Sequence, residues 1–238
     1  MVARLRRRVV VCNALRHERG AARANPLPAE VLKVSIDAPE SHAIHYAASL
    51  IQRGRVVGIP TDTFYGLSAD PYNLSAIERV FQVKGRAETK ALPILVNSVE
   101  QATALTRDLP EHFFDLAQKF WPGALTIVVE ATHRLPLKVT GNSGRVALRW
   151  PKSHVACELI ECFGGPITGT SANLSGFPAC SSAATLVKQL GDRLPLILDG
   201  GETGATLSST IVALRGDDWS IIREGAVPEL EIRKVIDG

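Results

Sequence analysis

The spacing of apolar residues along the chain predicts helices and strands that alternate from about residue 31 onwards. In the segment SHAIHYAASLIQRG (41–54), apolar side chains recur every three or four positions, which is the spacing of one helix face. We expect Ser41 to be the N-cap of this helix and Gly54 to lie just beyond its end.

Similar patterns define the remaining elements. Helices are predicted for LSAIERVFQVKGR, EHFFDLAQKFW, SHVACELIECFGG and AATLVKQLG, with Ser153 as the cap of the third. Strands are predicted for RVVGIP, LPILVN, LTIVVEA, RVALRW, LPLILDGG, STIVAL and WSIIREG, the last two joined by a Gly-Asp-Asp turn. Because helices and strands interleave and two pairs of strands adjoin, the predicted fold class is α/β, with a mixed, mostly wound sheet in one domain.

Composition narrows the class of protein. The hydrophobic fraction of 45% and the charged fraction of 21% are typical of a globular domain. No apolar run approaches the ~18 residues that a membrane span requires, so we expect no membrane association. Aromatic residues make up only 5% of the chain, which argues against a surface that stacks the bases of single-stranded nucleic acid.

The net charge of +3 originates in the first residues of the chain. Residues 1–29 contain seven of the 27 lysines and arginines and one of the 24 acids, which leaves 20 basic and 23 acidic residues, a net charge of −3, for residues 30–238. We predict that residues 1–29 are a basic, disordered leader, although their arginine-rich composition also resembles an organellar transit peptide. Residues 30–238 are the predicted folded domain.

The cysteines and histidines show no metal-binding pattern. The four cysteines form no CxxC motif, and His42 and His45 are not part of an HExxH motif. The sequence therefore predicts no metal site built from protein side chains. Cysteines without a pairing pattern are typical of a reducing compartment, so we expect a cytoplasmic protein.

Four polar clusters lie at the ends of apolar segments: PTDTFYGLSAD (60–70), KGRAETK (84–90), TGTSANLSG (168–176) and GATLSSTIV (204–212). In open α/β sheets, ligands bind where loops from separate strand ends converge. Lys84 and Arg86 provide two cations suited to a phosphate, although cations at the end of a helix also interact with its dipole. The hydroxyls around Asn173 supply short neutral donors and acceptors for a nucleotide, or alternatively form local turns.

Several common sites are not supported by the sequence. There is no GxxxxGK[ST], GxGxxG, GxSxG or SxxK motif, which argues against a Walker phosphate loop, a Rossmann dinucleotide site and an acyl-serine nucleophile. From the residues alone, the interpretation is an α/β enzyme that binds a phosphorylated ligand.

Seven segments, taken in order, resemble the signature segments of the YrdC-like L-threonylcarbamoyladenylate synthases: PTDTFYGL, KGR, WPGALT, VALRW, TSANLSG, STI and REG. The resemblance covers roughly residues 38–226 and is to the short, single-domain form of the family. It implies a twisted mixed sheet flanked by helices, with a large concave cleft, and it makes residues 30–238 the catalytic domain.

The resemblance also implies an activity. Such enzymes are nucleotidyltransferases that convert L-threonine, bicarbonate or CO2, and ATP with its Mg²⁺ into threonylcarbamoyl-AMP and pyrophosphate. Threonylcarbamoyl-transferase proteins then transfer the group to an adenosine beside the anticodon of tRNA, and direct contact with RNA is a further expectation.

The same resemblance assigns roles to individual residues. The catalytic set is Lys84, Arg86, Ser171 and Asn173, which also bind ATP. ATP binding further includes Thr126, Arg145 and Arg223, and threonine binding includes Thr63, Asn97, Arg149 and Ser209. Many relatives have histidine at the position of Asn97, and asparagine can form hydrogen bonds there but carries no charge.

Two other functions remain open at this stage. The first is a module that binds double-stranded RNA without catalysis, which the net charge of −3 for residues 30–238 disfavours. The second is a carbamoyl-transfer domain that acts on another protein, which the lack of zinc-finger or acylphosphatase-like segments disfavours. Release of pyrophosphate from ATP that depends on threonine and bicarbonate distinguishes all three.

Overall fold

The computed structural model describes residues 28–85 and 90–238. Residues 1–27, which include most of the predicted leader, and residues 86–89, which include Arg86, lie outside the described residues. Within the described ranges, no helix has the length and the apolar character that crossing a bilayer needs.

The described residues form strands and helices in alternation. The strands are β1 (Glu30–Lys33), β2 (Val57–Ile59), β3 (Gly66–Ser68), β4 (Ile94–Leu95), β5 (Leu125–Glu130), β6 (Arg145–Arg149), β7 (Ile167–Thr168), β8 (Thr170–Ser171), β9 (Leu196–Asp199), β10 (Thr210–Arg215) and β11 (Asp218–Arg223). The helices are α1 (Ser41–Gln52), α2 (Leu74–Lys84), α3 (Val99–Thr103), α4 (Glu111–Phe120), α5 (His154–Phe163), α6 (Ala183–Leu190) and α7 (Glu229–Ile236).

The strands divide between two sheets. The first sheet has the order β1-β9-β2-β3-β8 and the second has the order β11-β10-β5-β6-β4-β7, and each contains parallel and antiparallel pairs. The predicted mixed α/β class is confirmed, while the expectation of a single sheet is wrong. The two sheets adjoin where β7 of the second sheet is followed, after Gly169, by β8 of the first.

The longer predicted elements are confirmed, including the cap that Ser153 forms by accepting a hydrogen bond from the N–H of Ala156. The prediction that Ser41 caps α1 is wrong. The helix begins at Ser41, and Glu40 occupies the N-cap position, where its carbonyl accepts from the N–H groups of Ala43 and Ile44. Gly54 follows the helix in the left-handed conformation, as expected.

Two buried apolar clusters hold the layers together. One packs α1 against α5 and both helices against β2 and β9 of the first sheet. The other is larger and joins α2, α4 and α6 to strands of both sheets. Helices therefore pack against both sheets.

Helix α2 has well-defined ends. The side chain of Asn73 accepts a hydrogen bond from the N–H of Ala76 at 3.1 Å and caps the first turn. Gly85 terminates the helix with a φ of 57°, a conformation that glycine adopts without steric cost. Together these residues make Lys84 the last residue of the helix.

Gly169 lies between the two sheets, and its α-carbon is close to the buried side chain of Leu95 in β4. A Cβ at this position would overlap three side-chain atoms of Leu95. We expect Gly169→Ala to reduce the free energy of unfolding by about 1–3 kcal/mol, the usual cost of overpacking a core. Urea or thermal unfolding measures the change.

Gly165→Ala is the matched control, because a Cβ there would meet only the ring of Phe163 at 3.7 Å, an ordinary contact. The control should retain the stability of the unmodified protein. Equal stability of the two variants would show that the approach of Gly169 to Leu95 is unimportant.

Candidate active site

A cavity of about 440 Å³ opens over the second sheet. The alternation of side chains along β5 and β6 explains its position, because successive residues of a strand point to opposite faces. Leu125, Ile127, Val146 and Leu148 belong to the larger apolar core. The alternate residues of the same two strands line the cavity: Thr126, Val128, Arg145, Ala147 and Arg149.

Further lining residues come from the first sheet, from the β7–β8 segment and from the residues before β10. The loop after β2 contributes Thr61 and Thr63, the β7–β8 segment contributes Gly169 to Ser171, and Ser208 and Ser209 precede β10. Among the described residues that line the cavity, three are arginines and none is a carboxylate. Such a wall, rich in hydroxyls and positive charge, suits an anionic ligand with many hydrogen-bonding groups.

Arg149 is the most deeply buried of the three arginines, with 7% of its surface exposed. Its Nε donates to the carbonyl of Gly123 at 2.9 Å, Nη1 donates to Oγ1 of Thr63 at 2.9 Å, and Nη2 donates to Oδ1 of Asp62 at 2.7 Å. Burial lowers the pKa of the guanidinium, and the Asp62 carboxylate opposes that shift. These three bonds use three of the five N–H groups, so two have no hydrogen bond to a described residue.

Arg223 and Ser209 form a second group on the cavity wall. The guanidinium of Arg223 donates to the carbonyl of Ser209 at 2.7 Å from Nη2 and at 3.2 Å from Nε, and Oγ of Ser209 lies 2.9 Å from Oγ1 of Thr126. Burial lowers the pKa of Arg223, and the nearby positive charge of Arg149 lowers it further. Within the described residues Arg223 has no carboxylate partner, which makes this end of the cavity attractive to an anion.

Arg145 spans two strands of the second sheet. Its Nη2 donates to the carbonyls of Val128 in β5 and Leu214 in β10, at 3.1 and 2.5 Å. Its Nε is buried without a hydrogen bond and lies 3.6 Å from the carboxylate of Glu130. Burial lowers the pKa of this guanidinium, and Glu130 opposes the shift.

Lys84 lies against the Ser171–Asn173 loop, and only 3% of its surface is exposed. Its Nζ donates to the carbonyl of Ser171, and also to the carbonyl and the side-chain Oδ1 of Asn173, both at 3.1 Å. The hydroxyl of Ser171 donates to the same Oδ1 at 2.7 Å, and Nδ2 of Asn173 donates to the carbonyl of Phe177 at 2.6 Å. The lysine therefore holds the loop that presents Ser171 to the cavity.

The predicted site residues fall into groups. Those that line the cavity together are Thr63, Thr126, Arg145, Arg149, Ser171, Ser209 and Arg223. Lys84 and Asn173 lie behind Ser171 and are not lining residues, and Arg86 is outside the described residues. Asn97 is also not a lining residue; it follows β4, and its N–H donates to Oε1 of Gln101 at 3.1 Å.

Sequence reasoning missed three residues that the structure brings to the site. Asp62 pairs with Arg149, and Thr61 donates from Oγ1 to the carbonyl of Phe64 at 2.6 Å, which braces the loop. Tyr65 lines the cavity, and burial raises the pKa of its hydroxyl to about 12, so it stays protonated and donates to the carbonyl of Gly201 at 2.8 Å. All three lie in PTDTFYGL, which was already recognised as a polar cluster and as a family motif, so the motif itself pointed to them.

The described residues provide no cage for a metal ion. Among residues 28–85 and 90–238, no group of three or more histidine, cysteine, aspartate or glutamate side chains is arranged to hold one. Two carboxylates lie beside lining arginines, Asp62 next to Arg149 and Glu130 next to Arg145. A cation that entered with a nucleotide would find hydroxyl oxygens here rather than carboxylates.

The family model Sua5_yciO_yrdC, described as "Telomere recombination", matches residues 49–225. The threonylcarbamoyl-AMP synthase of Pyrococcus abyssi (strain GE5 / Orsay) is 38% identical over 197 residues, which are 83% of this chain and 58% of the relative. A putative threonylcarbamoyl-AMP synthase of Mycobacterium tuberculosis (strain H37Rv) is 36% identical over 196 residues, 82% of this chain and 90% of the relative.

A solved structure agrees with these relatives. The crystal structure of P. abyssi Sua5 complexed with L-threonine is 37% identical and superimposes with a TM-score of 0.84, over 87% of this chain and 61% of that one. The chain thus spans less than two thirds of the length of the P. abyssi protein. The cavity lies within the matched residues, and the chain belongs to the Sua5/YciO/YrdC family.

Proposed function

We propose that this protein synthesises L-threonylcarbamoyl-AMP and pyrophosphate from L-threonine, bicarbonate or CO2, and ATP. The observation that carries the proposal is a cavity with three arginines and no carboxylate among its described lining residues, joined to the Lys84–Ser171–Asn173 cluster. The names of the P. abyssi and M. tuberculosis relatives support it, as does the L-threonine in the P. abyssi structure.

The proposed reaction has two steps. The neutral amine of threonine adds CO2 and loses a proton, which gives a carbamate. A carbamate oxygen then attacks the α-phosphorus of ATP, and the bond from that phosphorus to the oxygen of the leaving pyrophosphate breaks. Negative charge increases on the phosphoryl oxygens and on the leaving group, so fixed positive charge near them lowers the barrier.

Threonine is assigned to the Arg149 end of the cavity. The two N–H groups of Arg149 that have no described partner can bind a carboxylate. Thr63 offers a hydroxyl beside it, and Ser209 offers another on the cavity wall. The carbonyl of Gly123 and the carboxylate of Asp62 also accept hydrogen bonds from the guanidinium and hold it in place. The orientation of the amino acid is then set before ATP reacts.

ATP is assigned to the side of Ser171, Arg145 and Arg223, with Thr126 between the two subsites. In this arrangement Lys84 and Asn173 support Ser171, and the charge of Lys84 lies directly behind the loop. Arg86 is proposed as the second phosphate-binding cation, as the motif predicts. Asn97 is retained as a proposed contact to threonine on the motif alone.

Mg²⁺ would neutralise part of the charge of the triphosphate. Because the described residues offer no cluster of acidic ligands, the phosphates themselves would hold most of it, with hydroxyls such as those of Ser171 and Ser209 nearby. The partners proposed for the product are threonylcarbamoyl-transferase proteins that modify tRNA, and direct contact with RNA is proposed as well.

The central test is an assay for pyrophosphate released from ATP. We expect release that requires both L-threonine and bicarbonate, because the carbamate formed from them is the nucleophile. Mass spectrometry should detect threonylcarbamoyl-AMP in the same reaction. Binding of double-stranded RNA without any such release would favour the RNA-binding alternative, and release that requires carbamoyl phosphate instead of threonine would favour carbamoyl transfer.

Removal of Lys84 tests the nucleotide side of the cavity. Lys84→Ala should reduce kcat by roughly two orders of magnitude, the scale for loss of a group that stabilises charge in the transition state. Lys188→Ala is the control, since Lys188 is an exposed lysine in the last turn of α6. Unchanged turnover of Lys84→Ala at saturating substrates would remove this lysine from the mechanism.

A comparison of threonine with two related amino acids as substrates tests the proposed threonine subsite. Serine lacks only the methyl group, and one methyl group typically changes kcat/KM by about 10–200-fold. Valine lacks the hydroxyl and would leave a buried polar group without a partner, which costs more. We therefore expect pyrophosphate release at limiting amino acid to decrease in the order threonine, serine, valine.

Arg149→Ala should weaken the use of all three amino acids, because each has the same carboxylate. Circular dichroism must first show that the variant is folded, because the change leaves the Asp62 carboxylate without its partner. A folded variant that loses activity only with threonine would show that Arg149 does not bind the carboxylate.

A further inference from the structure

The carboxylate of Asp62 is the one charged group among the three described partners that hold the guanidinium of Arg149. Its Oδ1 is 2.7 Å from Nη2 of the arginine, and the two side chains are 15% and 8% exposed. The pair joins the loop after β2 in the first sheet to the end of β6 in the second. A charged pair with so little exposure is screened weakly by water.

The loop that carries Asp62 is braced from within. Oγ1 of Thr61 accepts a hydrogen bond from the N–H of Thr63 at 3.2 Å and donates to the carbonyl of Phe64 at 2.6 Å. Oγ1 of Thr63 in turn accepts from Nη1 of Arg149. The residues on both sides of Asp62 are therefore fixed, and the carboxylate is held at one position relative to the guanidinium.

The charge of Asp62 has no substitute nearby. The described residues that line the cavity include no carboxylate, and Glu130, beside Arg145, is the partner of a different arginine. Arg149 and Arg223 are close enough to repel each other, and Arg223 is bonded only to oxygens of Ser209. Without Asp62, the buried guanidinium of Arg149 would have no countercharge, with the positive charge of Arg223 nearby.

We propose that Asp62 is a positioning residue for the amino-acid site, which fixes the orientation of Arg149 and cancels its charge so that two N–H groups face the carboxylate of the substrate. This inference rests on the proposed function, because it assumes that Arg149 binds the carboxylate of threonine. Asp62 takes no part in bond making. Its contribution is to the affinity for the amino acid, and ATP binding does not depend on it.

The test compares three substitutions with a control. Asp62→Ala removes the carboxylate and leaves space, Asp62→Asn removes the charge and keeps the size, and Asp62→Glu keeps the charge. Asp70→Asn is the control, because Asp70 accepts a hydrogen bond only within its own turn, from the N–H of Tyr72 at 2.8 Å. We expect the KM for L-threonine to rise roughly tenfold or more in the alanine and asparagine variants, the effect of losing a charge-assisted hydrogen bond.

The KM for ATP at saturating threonine should stay unchanged in all variants, and Asp62→Glu and Asp70→Asn should remain close to the unmodified protein. Sodium formate provides a second readout. Formate can occupy the space left in Asp62→Ala and supply the missing carboxylate, so it should lower the KM for threonine in that variant. It should not do so in Asp62→Asn, where the amide fills the space, or in the unmodified protein.

The outcomes separate this inference from the proposed function. If the unmodified protein releases no pyrophosphate in response to threonine, the proposed function is overturned and the role of Asp62 with it. If the unmodified protein is active and the Asp62 variants keep its KM for threonine, only the role of Asp62 is overturned. A parallel rise in both KM values, with no effect of formate and no recovery in Asp62→Glu, would show a merely structural role and would also overturn it.

Discussion

The geometry of the cavity depends on the hydrogen bonds and the ion pair that hold the buried guanidinium of Arg149. A buried cation is costly unless hydrogen bonds and a countercharge replace the water that it loses. Those partners come from separate parts of the chain: Gly123 precedes β5, and Asp62 and Thr63 follow β2. The hydrogen bonds of this one side chain therefore tie the loop after β2 in the first sheet to the second sheet. The cavity is the space that remains between them.

The strand alternation that buries one face of the second sheet also determines what the other face can contain. Leu125, Ile127, Val146 and Leu148 must face the core, so Thr126, Arg145 and Arg149 must face away from it. This relation was readable from LTIVVEA and RVALRW, and it explains why the motif residues of these two strands meet. The period of two gave no information about Lys84, which lies on a helix.

Other features of the structure have no corresponding pattern in the amino-acid sequence. Strands β7 and β8 have two residues each, which is too short for periodicity, and so the division into two sheets could not be predicted. Lys84 at the end of α2 was compatible with a helix dipole or with a phosphate, whereas in the structure it donates to the oxygens of the loop around Asn173. The pairing of Asp62 with Arg149 leaves no local pattern, because the two residues are 87 positions apart in the sequence.

The cavity wall has one further consequence, which concerns the survival of the product of the proposed reaction. A threonylcarbamoyl adenylate is a mixed anhydride, and amines, thiols and imidazoles attack such compounds readily. Among the described residues that line the cavity there is no lysine, cysteine or histidine. Serine and threonine hydroxyls are weak nucleophiles without an adjacent general base. For the proposed reaction, such a wall would let the acylating product form and leave without modifying these lining residues.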